Sequence, residues 1–143
     1  MLERFLQRHA EAGLSATAEA LFPVNGLGAP DYRSTDIVAR MRSYLLVLPA
    51  RQRALLTYLF AFVELIGPLL LFRFGRFSSF PVDVRERGIR RFRASPLLPV
   101  RVVGDALKAS LTMMYMSHPA ALAHVGALPE PGPARERVAA EVT

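Results

Sequence analysis

The chain contains no cysteine. Disulfides, thiolate-bound metals, iron–sulfur clusters and cysteine nucleophiles are thereby excluded, while the compartment stays open. Lysine is almost missing as well: Lys108 stands alone against seventeen arginines. The formal net charge is +6, yet so complete a skew toward arginine is what codon usage in a GC-rich genome produces. The aromatics and flexible basic loops that accompany nucleic-acid readout do not flank these arginines, so no nucleic-acid partner is expected. Acidic residues number twelve and are scattered, which leaves no paired carboxylates for general acid–base work. No stretch alternates apolar and polar residues between turn signals, and none repeats, so neither sheet nor solenoid is expected. The first nine residues, MLERFLQRH, carry charge throughout and lack the apolar core of a secretory signal. A cytoplasmic location is the resulting expectation.

What the chain does have is apolar surface. Hydrophobic residues make up 52% of its 143 positions and charged ones 21%. That suits one domain with a real core, with a surplus that must meet a core, a membrane or a partner. The periodicity predicts an all-α, single-domain bundle of about five to seven helices over residues 1–126, with a mostly apolar central helix. Residues 127–143, proline-rich and polar, read as a flexible tail.

Along the chain, residues 2–12 predict a short helix ended by Gly13, with Ser15 capping a second that reaches Phe22-Pro23. After a loop marked by Asn25-Gly26 and Pro30-Asp31, Ser34 or Thr35 is placed to cap a helix whose Ile37, Met41, Tyr44, Leu45 and Leu48 share one face. Residues 54–72, ALLTYLFAFVELIGPLLLF, form the longest apolar run. A membrane span is one reading of it. Against that, Glu64 near its middle would cost roughly 2–3 kcal/mol in a bilayer. Gly67-Pro68 predicts a break into two pieces, and arginines flank both ends (Arg51, Arg53; Arg73, Arg76). A helix buried by its neighbours is preferred.

The next helix, from about Ser79-Pro81 to Ala94, sets Val82, Arg85, Ile89 and Phe92 on one face and Arg87, Arg90 and Arg91 on the other. Arg85 thus points inward. A buried carboxylate needs a cation or hydrogen bonds, so a structural ion pair between Glu64 and Arg85 is predicted. Ser95-Pro96 opens a further helix, and His118-Pro119 a last short one closed by Gly126.

Searches for chemistry return little. Gly26 and Gly28 give G-x-G without the third glycine or the strand–helix context of a dinucleotide fold. His118 and His124, six apart, lie on different helix faces with no acid nearby, so no metal site is predicted. The serines fall at caps or in helices without a base held by a third group. Glu64 as an acid in an apolar pocket is the one enzymatic use left open. The arginine cluster over 85–93 suits a solvated face, an anionic membrane surface or a docking face. No catalytic and no cofactor-binding residue is assigned, and a partner subunit fits better than an enzyme.

Scattered positions carry a family resemblance over roughly residues 20–126: Leu21-Phe22-Pro23, then Arg76-Phe77-Ser78, Arg85-Glu86-Arg87, Ser95, Lys108, Tyr115, His118-Pro119 and Gly126. The pattern resembles the small subunit of gluconate dehydrogenase, and the helical region at the N-terminus of long-chain fatty alcohol oxidases. The resemblance implies a non-catalytic accessory subunit in a hetero-oligomer. Its large subunit would be a flavoprotein oxidoreductase of the glucose–methanol–choline type that carries the FAD and the catalytic residues. It further implies that Phe77, Tyr115, His118 and Pro119 define the fold or the interface. Secreted relatives carry a twin-arginine export signal, which this chain lacks, so export escort is not expected. The alternative is a membrane-associated helical protein using residues 54–72 and the arginine-rich face, possible also as a peripheral attachment to the inner membrane.

Overall fold

A computed structural model of the chain describes residues 1–26 and 28–126. The tail expected over 127–143 lies outside the described residues. Six helices follow in order: α1 (Leu2–Leu21), α2 (Ile37–Val47), α3 (Ala50–Leu70), α4 (Val82–Arg93), α5 (Leu98–Met116) and α6 (Pro119–His124). One 3-10 turn, Phe77–Ser79, sits between α3 and α4. No strand occurs among the described residues. The architecture is the all-α bundle that the periodicity predicts.

The hub is α1, which packs against α2, α3, α4, α5 and the 3-10 turn. Its inner half is built from small residues, with Ala10, Gly13, Ala16, Thr17, Ala18 and Ala20 all buried. Short side chains let several neighbours close on one helix axis at once. Gly13 does not end a helix, as the sequence predicts; it lies inside a continuous one. At this position α3 crosses so closely that a Cβ would stand 2.2 Å from the carbonyl oxygen of Phe60. A helix-interior glycine costs about 1 kcal/mol, and here that cost is offset by the tightest contact in the bundle. Thr17 hydroxyl donates back to the Gly13 carbonyl at 2.6 Å, so its polar group is satisfied in the dry interior.

Two further expectations are corrected. Ser34 and Thr35 do not cap α2. They close a turn on Asp31, whose Oδ1 accepts the backbone N–H of Arg33 and of Ser34, both at 2.8 Å, while Thr35 hydroxyl donates to the Asp31 carbonyl at 2.8 Å. Nor does Gly67-Pro68 divide α3. Pro68 lies inside the last turn, and the helix runs on to Leu70 in spite of the backbone donor that proline lacks. It stops there in a left-handed cap. The N–H of Arg73 donates to the Pro68 carbonyl at 2.9 Å and that of Phe72 to the Leu69 carbonyl at 3.0 Å, with Phe72 at φ 54°.

Further closures come from side chains distant in sequence. Arg40 donates to the Met114 carbonyl at 2.8 Å and to Ser117 Oγ at 2.6 Å, placing a cation at the negative end of α5. Arg93 pairs with Asp105 at 2.9 Å across α4 and α5, which meet at Gly104.

Candidate functional site

Glu64 and Arg85 are both buried, at 0% and 6% exposure. They do not form the predicted ion pair. Arg85 instead spends its donors on three partners: Nε on the Phe80 carbonyl at 2.9 Å, Nη1 on the Ala16 carbonyl at 2.7 Å, and Nη2 on Glu19 Oε2 at 3.0 Å. Glu64 accepts at both oxygens from one residue, taking the backbone N–H of Ser78 at 2.9 Å and a short bond from its hydroxyl. The physical reason is the 3-10 turn between them. Its N–H end faces the carboxylate and the carbonyl at its exit faces the guanidinium, so each charge finds an oppositely polarised backbone end. Neither needs the other. The two sites tie α1, α3, α4 and the turn into one frame, and among the described residues no buried side-chain polar atom lacks a partner.

The residues singled out by resemblance occupy structural positions. Phe77, wholly buried, fills the space between Gly67 and Gly88. Tyr115 stacks on Phe22 with ring centres 4.1 Å apart, and its hydroxyl donates to the Pro30 carbonyl at 2.8 Å. Burial, and secondarily the Asp31 charge, raises its phenol above the ordinary value. His118 caps α6, its Nδ1 accepting the Ala120 N–H at 3.1 Å, and Pro119 follows as the first helical residue. Glu19 and Ser78, the true partners of the two buried charges, carry no spacing signal that links them to Arg85 or Glu64.

No cluster of three or more metal-ligating residues exists among the described residues. A cleft of about 250 Å³ opens between α1, α2 and α3, floored by Leu14, Leu45 and Phe60 and rimmed by Glu11, Arg42 and Arg53. Gln7 and Thr57 also line it, and Arg42 and Glu11 face each other across its rim at 3.8 Å.

The feature that stands out is α3 itself. Among the described residues only its inner face is covered, by α1, the 3-10 turn and short contacts with α2 and α5. Along the outer face Leu55, Tyr58, Phe62, Ile66 and Leu69 recur at helical spacing and are 37–69% exposed. The helix expected to be buried all round is therefore one-sided. Of its most apolar 18-residue window, 33% is buried. At the end of α2, Leu46 and Val47 are also largely exposed. A contiguous apolar stripe five residues long is what docking surfaces present and isolated exposed leucines do not. No protein-family model, curated protein or solved structure matches this chain.

Proposed function

We propose that this chain is a non-catalytic accessory subunit that covers an apolar surface of a flavin-dependent dehydrogenase or oxidase. The observation that carries the reading is the outer face of α3: five large apolar side chains at helical spacing that the described residues leave 37–69% exposed. The buried charges Glu64 and Arg85 are engaged in holding the elements together, which is the chemistry of a scaffold. The flavoprotein as partner comes from the family resemblance of residues 20–126, and in that reading FAD and the catalytic groups belong to the large subunit. In this reading the complex works in the cytoplasm, an expectation that rests on the charged first nine residues.

The rival reading has α3 cross a bilayer, favoured by its 21 residues and mean hydropathy of 1.6. Crossing would strip α3 from α1 at the Gly13 contact and take Glu64 from Ser78, leaving a bare carboxylate in hydrocarbon. The docked subunit keeps both.

The test is capture of the tagged full chain from its host, with the eluate scanned for flavin absorbance. A yellow partner at fixed stoichiometry, lost when Phe62→Asp is introduced in the outer face, is the expected outcome. A colourless eluate lacking any stoichiometric partner would overturn the reading.

A further inference from the structure

The end of α3 differs in chemistry from its middle. The cap that closes the helix uses a left-handed residue, a position where glycine costs nothing and a bulky L-residue costs about 1–2 kcal/mol. The residue there is Phe72, at φ 54° and 92% exposed, and Phe74 two positions on is 95% exposed. Neither ring supports the fold, and one of them strains it. Strain of this kind at an exposed aromatic points to a role in binding.

The surroundings say what is bound. Between and after the rings come Arg73 and Arg76, so the tip reads Phe-Arg-Phe-Gly-Arg. Behind it lies a groove of about 390 Å³ between the end of α3 and α4, walled by Arg73, Arg87 and Arg91 and floored by Leu71 and Gly88. Gly88 makes the floor: a Cβ there would meet Leu71 at 2.9 Å. Arg87 is paired with exposed Asp83 at 2.7 Å and Arg73 lies 5.9 Å from the Phe80 ring centre, while Arg76 and Arg91 make no ion pair with any described residue. The outer face of α3 from Leu55 to Leu69 holds no cation, as suits the dry centre of a protein interface, where charge is depleted. Alternating rings and guanidiniums suit a boundary at which an apolar layer lies directly beneath an anionic one.

We propose that Phe72 and Phe74 form a wedge that enters the acyl boundary of an anionic phospholipid surface, with Arg73, Arg76, Arg87 and Arg91 on the lipid phosphates. The bundle is thereby anchored peripherally, α3 staying in place against α1. This attachment does not depend on the flavoprotein reading and is tested on the full chain alone.

The chain contains no tryptophan, so Phe74→Trp supplies a single fluorophore at the tip. Mixed with vesicles of phosphatidylcholine containing about one-third phosphatidylglycerol, this variant is expected to co-float and to shift its emission to the blue. With pure phosphatidylcholine it stays in solution, and raised salt releases it. Phe72→Gly is expected to melt at a higher temperature, because the strain is gone, yet to bind about tenfold more weakly. Arg87→Gln with Arg91→Gln lowers partition by about thirtyfold, at roughly one unit of lipid attraction per arginine. Inorganic phosphate at matched ionic strength does not displace the protein. Failure to float with anionic vesicles, equal binding to uncharged ones, undiminished binding by Phe72→Gly, or displacement by inorganic phosphate would each overturn the proposal.

Discussion

Helices α3 and α4 divide the work of the bundle in opposite ways. α4 is charged and self-sufficient. Its inward residues Arg85, Gly88, Ile89 and Phe92 are all buried, and its outer face is laced by Arg87–Asp83 and Arg90–Glu86 pairs one turn apart. Beyond its first turn α3 is apolar on most of its surface, and the described residues cover only one side of it. A helix with two chemically distinct faces announces which one goes inward. A helix with one kind of surface does not, and its orientation is set by whichever neighbour fits closest. Here that neighbour is the small-residue face of α1. The difference teaches that the more hydrophobic helix is not the more buried one; α4 keeps Ile89 and Phe92 inside the bundle and shows only charge outside, while α3 leaves an apolar face for something else.

The contrast has its largest consequence in the aromatic residues. Phe92 of α4 is fully buried and Phe62 of α3 is not. Phe92→Ala is expected to cost about 3–5 kcal/mol in urea unfolding, whereas Phe62→Ala, at a ring 37% exposed, should cost the isolated chain about 1–2 kcal/mol while weakening capture of a partner. Equal losses would mean that the outer face of α3 is already covered, and the contrast between the helices would collapse.

Next in size is the buried charge of α4. Arg85→Met leaves Glu19 unpaired and removes the second hydrogen bond to the Ala16 carbonyl, and should cost about 3 kcal/mol. A double-mutant cycle separates the partners. Arg85 with Glu19 is expected to couple by about 1 kcal/mol or more, and Arg85 with Glu64 to be additive within about 0.5 kcal/mol. Strong coupling to Glu64 would restore the ion pair that the sequence suggests.

The smallest effect concerns Tyr115 on α5, outside both helices. The folded state raises its phenol above the ordinary value because burial disfavours the phenolate, with the Asp31 charge adding to the effect. The protonated form is thus the one the fold holds. Its contribution is complete below pH of about 10 and is lost as pH rises through the higher folded value. Tyr115→Phe forfeits the bond to Pro30, about 1 kcal/mol at neutral pH, and should flatten the fall in stability that sets in above a pH of about 10. A slope unchanged by the substitution would assign the alkaline loss to another group.

The legible part of this molecule is the part governed by neighbours along the chain. The absence of cysteine and of alternating segments, together with the 3.6-residue periodicity, is enough for an all-helical bundle. The inward aim of Arg85 and the start of α6 at Pro119 follow from spacing and proline chemistry alone. Gly13 misleads for a definite reason: its local preference is to end a helix, and the crossing of α3 more than forty residues away overrides it. The two buried charges mislead likewise. Opposite signs invite pairing on paper, but the 3-10 turn offers each a polarised backbone end, and backbone dipoles leave no mark in the order of side chains. The uncovered face of α3 and the strained phenylalanine at its cap are decided by three-dimensional packing. Burial belongs to pairs of surfaces, and a run of apolar residues carries no record of which side its neighbour took.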